Sequence, residues 1–173
     1  MTWNKIVWSQ FGAAIDMLEN AIRDCPDDLW QARLYQDPTL PEFAEFWNIA
    51  SHVIFWLDFY LGEGEATFKP PEPFTLSELD PAGKMPDRVY TKDELLTYLA
   101  YGRNKCKTKL ESMSDEMLTT TKTPWRDMSV AEMMLYSLRH VQEHGAQLSL
   151  FLGQKIGWQS TWVGKAKNKD LDA

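Results

Sequence analysis

Apolar residues recur at steps of three and four in four stretches of the chain, the period that gathers them on one face of a helix. The first stretch runs from about Trp3 to Asp24 and carries Val7, Phe11, Ala14, Leu18, Ile22 and Cys25, with Pro26 to stop it. The second starts after Thr39 with Pro41 in its first turn, continues through Phe46, Ile49, Val53 and Leu57, and ends at Gly62. Pro70, Pro71, Pro73, Pro81 and Pro86 then break any period, so this segment reads as a long crossover. The third stretch opens with Thr91-Lys92-Asp93-Glu94, in which a threonine and a glutamate three residues on can satisfy each other's free backbone donors. It continues through Leu95, Leu99, Gly102, Cys106, Leu110 and Met113. The fourth repeats that device as Ser129-Val130-Ala131-Glu132, carries Met134, Leu138, Val141, Leu148 and Leu152, and meets a terminator in Gly153. No pair of alternating segments flanks an Asn-Gly or Asp-Gly turn, so a sheet is not expected. The fold expected is all-α: a four-helix bundle, residues 1–173 forming one domain, with a long crossover between helices two and three. Beyond Gly153, Trp158, Trp162 and Val163 predict that part of the tail packs back on the body.

Composition narrows the partners. A hydrophobic fraction of 44% is ample for one core, and no run approaches the roughly 18 apolar residues of a membrane span. Asn4, Lys5 and Gln10 interrupt the apolar run a secretory signal needs, which makes the cytoplasm the expected location. A net charge of −7 opposes the counterion release that drives nucleic-acid binding. The basic cluster Lys165, Lys167 and Lys169 reads as a solvated tail. Cys25 and Cys106 lack metal-knuckle spacing and read as buried free thiols.

The 3 histidines carry the chemistry. His140 and His144 stand four residues apart in a helical stretch, about 40° apart around the axis and roughly 6 Å along it, close enough to chelate one ion. His52 lies mid-helix in another stretch, and a bundle can bring it across its core to complete the site. Three imidazoles on a divalent ion leave a coordination position open, as in catalytic rather than closed structural sites. Gln147, three residues beyond His144, is a candidate to orient a bound water or histidine ligand, and Glu143 reads as a carboxylate that is either solvated or set behind the ligands. His140-Val141-Gln142-Glu143-His144 also matches the His-x-x-Glu-His pattern of inverted zinc proteases. That reading is set aside because only Asp170 and Asp172 remain downstream to supply the acidic ligand.

Asn48-Ile49-Ala50-Ser51-His52, the following Val53-Ile54-Phe55-Trp56-Leu57-Asp58-Phe59-Tyr60-Leu61, and His140 through Leu148 together resemble the DinB-like (DinB/YfiT) superfamily of bundle proteins. The resemblance implies an up-up-down-down bundle, homodimers, and one divalent ion, zinc or nickel ahead of iron, on His52, His140 and His144. Relatives of that kind include enzymes that use a low-molecular-weight thiol, which implies a metal-dependent thiol S-transferase. A non-catalytic metal-binding or ligand-sensing protein and a metal-dependent hydrolase are the competing expectations. The crossover and Thr123-Pro124-Trp125-Arg126 are expected to cover the pocket, with Arg126 as a candidate partner for an anionic group.

Overall fold

A computed structural model describes residues 2–124 and 126–167. Among them the chain forms five α-helices: α1 (Trp3–Asp24), α2 (Phe46–Tyr60), α3 (Lys92–Glu111), α4 (Asp115–Thr120) and α5 (Val130–Ile156). Among the described residues no helix is long and apolar enough to cross a membrane. Trp125, Lys169, Asp170 and Asp172 lie outside the described residues.

Each of α1 and α2 packs against both α3 and α5, so the four long helices close around a shared interior. Phe11, Ile15, Leu18 and Ile22 of α1 meet Phe46, Ile54 and Leu57 of α2, Leu95, Leu99 and Leu110 of α3, and Val141, Leu148 and Leu152 of α5 in one apolar cluster. Fully burying one such side chain stabilises by roughly 1.5–3 kcal/mol, which is why the periodic stripes decide the architecture. Thr91 and Ser129 start α3 and α5 with the capping boxes that their sequences predict, side chain to backbone in both directions.

The structure departs from expectation in three places. Pro41 opens a separate 3-10 turn, Pro41–Ala44, and α2 begins only at Phe46. Leu34 N–H donates to Ala44 O at 2.8 Å and Phe46 N–H to Ala32 O at 3.0 Å. Glu45 is thereby held extended and cannot be helical. At the other end of the chain Gly153 lies inside α5, and the helix stops at Gly157, whose φ of 69° is the left-handed geometry a glycine adopts without cost. The short α4, capped by Ser114, fills a link that lacks a long apolar stripe.

Two buried ion pairs lock the bundle. Asp58 of α2 accepts from Tyr98 Oη at 2.9 Å and from Lys105 Nζ, both on α3. Asp16 of α1 accepts from Arg103 Nε of α3 at 3.1 Å, and its second oxygen accepts from the Lys167 amide at 2.7 Å. Arg103 returns a bond to Lys167 O at 2.6 Å, so the tail is strapped down at this point rather than solvated throughout. Val163 is buried and Trp158 Nε1 donates to Asp24 at 3.0 Å, whereas Trp162 is 77% exposed and adds nothing to the docking.

Candidate metal centre

α5 supplies two histidines by its own geometry. His140 and His144 are one helical turn apart, their Nε2 atoms separated by 3.1 Å. α2, packed against α5, carries His52 to the same point, with ring centroids 5.3 Å from His140 and 5.0 Å from His144. One ligand atom from each of the three lies within 4.8 Å of the others. Two metal–nitrogen bonds of about 2.1 Å that open at roughly 90–110° place their nitrogens about 3.0–3.4 Å apart, and the α5 pair falls inside that range.

The far sides of two rings are held. His52 Nδ1 is 2.7 Å from Glu78 Oε2, and His144 Nδ1 is 2.9 Å from Gln147 Oε1. With each Nδ1–H donating to its oxygen, each Nε2 keeps its lone pair for an ion. His140 differs, because its Nδ1 is buried with no hydrogen-bond partner among the described residues.

Electrostatics favours the neutral rings that ligation requires. Burial, followed by the neighbouring His144 and His52, pushes His140 down to about 3. His144 is lowered as well, burial outweighing the opposing hydrogen bond to Gln147. Imidazole nitrogens suit a borderline divalent ion, and the residues present therefore fit a divalent metal. The thiols take no part: Cys25 and Cys106 are buried free cysteines elsewhere in the core.

A pocket of about 290 Å³ has His52 and His144 in its wall, together with Tyr35, Phe43 and Asn48 and with Ser77, Glu78, Lys84 and Met85 of the crossover. The crossover thus does cover this pocket. Thr123 and Pro124 line a different cavity, and Arg126 lies over the Tyr136 ring at 5.1 Å. Glu143 is exposed and acts on His144 only through its charge. Sequence reasoning missed Glu78, which sits in a 3-10 turn, Ser77–Leu79, and has no periodic or spacing relation to the histidines.

A family model described as the DinB superfamily matches residues 10–148, a span that includes all three histidines. The chain belongs to the DinB superfamily. The all-helical fold and the convergence of His52, His140 and His144 are compatible with a metal-binding DinB bundle. Comparison with curated proteins and with solved structures gives no match.

Proposed function

We propose that this DinB-superfamily protein binds one divalent ion, zinc or nickel ahead of iron, on His52, His140 and His144, and transfers a low-molecular-weight thiol to an electrophile. The observation that carries the reading is the three-histidine cluster with two of its rings in the wall of a 290 Å³ pocket. When bound, the ion supplies Lewis acidity that lowers the pKa of a coordinated thiol. The chain's own groups do the rest. Glu78 and Gln147 keep the ring nitrogens aimed inward, and Tyr35 and Phe43 offer apolar walls that displace water from the ligand. A volume near the lower end of the roughly 300–1,000 Å³ of small-molecule sites favours a compact ligand. In the transfer the thiol gives up its proton to solvent, its sulfur forms a new bond to the electrophilic carbon, and the bond from that carbon to the leaving group breaks with the electron pair going to the leaving group.

Elemental analysis of untagged wild type beside His52→Ala and His144→Ala, each checked for folding by circular dichroism, tests the metal half of the proposal. About one ion per wild-type chain, absent from the folded variants, is the expected result. A thiol-consumption assay with glutathione and bacillithiol against a panel of electrophiles tests the chemistry. Turnover by metal-loaded wild type that never exceeds the His52→Ala control would overturn the transferase reading and favour the non-catalytic one. In that case chelation lowers the melting temperature and nothing else.

A further inference from the structure

We infer that Glu78 is the positioning residue of the histidine centre: its carboxylate sets the tautomer and direction of His52 and so sets the affinity of the site. The inference rests on the metal-binding reading above. It starts from an asymmetry between the two helices. α5 presents His140 and His144 as neighbours on one turn, whereas α2 contributes His52 alone, on a side chain 34% exposed. A lone half-exposed imidazole can turn about its own bonds and can carry its proton on either nitrogen. The contact that restrains it is Glu78 Oε2, 2.7 Å from His52 Nδ1.

That oxygen is itself held. Trp56, one turn after His52 on α2, donates Nε1–H to the same Oε2 at 3.1 Å, and the two rings lie with centroids 6.2 Å apart. The carboxylate therefore bridges a histidine and a tryptophan on one helix face, and with its side chain only 21% exposed the bond is partly shielded from water. A carboxylate at Nδ1 requires the proton there, which leaves the Nε2 lone pair free for an ion and makes it more basic. It also brings one negative charge beside the three imidazoles. Because Glu78 belongs to the crossover that walls the pocket, the group that aims His52 and the chain that covers the site are the same segment.

The test compares wild type with Glu78→Ala and Glu78→Gln in two measurements. Zinc affinity is read by competition with a chromophoric chelator, and the His52 tautomer is read by nitrogen-15 NMR of the metal-free protein, with circular dichroism to confirm folding. Expected for wild type is the Nδ1–H form of His52. Glu78→Ala mixes the tautomers and weakens zinc about 10–100-fold. Glu78→Gln keeps an acceptor oxygen for both His52 and Trp56 and removes only the charge, so it keeps the tautomer and loses less affinity than Glu78→Ala. If Glu78→Ala binds zinc within twofold of wild type and keeps the Nδ1–H form, Glu78 positions nothing and the inference falls while the metal site stands. If wild type takes up no zinc, the metal reading falls, and the tautomer measurement alone decides whether Glu78 orients His52.

Discussion

Asp16→Asn is the substitution whose cost follows most directly from the geometry. The Asp16 carboxylate is 1% exposed and uses both oxygens as acceptors, one for Arg103 Nε at 3.1 Å and one for the Lys167 amide at 2.7 Å. An asparagine of the same shape offers one acceptor and one donor, so whichever way it turns, its amino group faces an N–H. Arg103, 5% exposed and stacked 4.9 Å from the Trp8 ring, is left as a buried cation without its counter-charge. Breaking a buried pair from one side costs about 3–5 kcal/mol, and the one bond an asparagine retains argues for the lower end, about 3 kcal/mol. With a urea slope of roughly 2 kcal/mol/M, the unfolding midpoint drops by about 1.5 M. Hydrogen exchange gives a local readout, since the Lys167 amide should lose its protection along with the strap. The double variant Asp16→Leu with Arg103→Met removes both charges and should be more stable than Asp16→Asn, because no buried ion is left unpaired. A single-variant loss below about 1 kcal/mol, or a double variant worse than the sum of its singles, would refute the reasoning.

Four further outcomes are expected. A zinc concentration about 1,000 times its dissociation constant adds about 4 kcal/mol, which raises the wild-type melting temperature by roughly 8–16 °C for a chain of this size and leaves His144→Ala unmoved in thermal scans. Gly12→Ala destabilises, because a Cβ there meets Ala166 Cβ at 2.5 Å under the strapped tail, whereas Gly145→Ala finds its nearest neighbour at 3.9 Å and stabilises by about 0.5–1 kcal/mol in chemical melts. Glu94, held down at about 2 by Arg88 and by the Thr91 amide, contributes stability that is present above its ordinary 4.5 and lost as pH falls through 2, so Glu94→Gln should flatten the acid limb of urea midpoints measured across that window. Cys25, pushed up to about 12 by burial, and Cys106, raised by burial as well, should resist a thiol-specific reagent at pH 8 in the native protein and both react once it is unfolded.

The long helices were legible because each is specified locally. Period and stop coincide in α1, where the stripe ends at Cys25 and Pro26 forbids the next turn. Reciprocal caps announce α3 and α5 to the residue. The errors occur where a distant partner decides. Pro41 is a good first-turn residue, yet the helix waits for Phe46 because residues 44 to 46 bond to a strand-like segment 32 to 34 that no local pattern reveals. Gly153 resembles a terminator, but helix formers follow it, and only Gly157 takes the left-handed conformation. In the tail, Trp158, Trp162 and Val163 predict packing back on the body and the lysine cluster reads as solvated; Lys165 and Lys167 are exposed. What docks the tail there is the backbone of Lys167 on Asp16, and backbone bonds leave no trace in composition.

The same division runs through the site. His140 and His144 declare themselves by spacing on one helix, and His52 follows once a bundle is assumed, since helices packed face to face bring mid-helix residues together. Gln147 was found because it, too, is a helical neighbour of a histidine. Glu78 obeys no such rule. It reaches His52 from 26 residues away through a Pro-rich crossover, and along the sequence it is one acid among 25 Asp and Glu residues. Arg126, marked as an anion partner by its charge, has its guanidinium over the Tyr136 ring and is not among the residues lining the pocket that His52 and His144 share. The three histidines and Gln147 can thus be read in helical periods, while Glu78, the group that meets His52, sits in a connection. Substitutions in the crossover should therefore alter affinity and ligand choice without touching the histidines, as Glu78→Ala is designed to show.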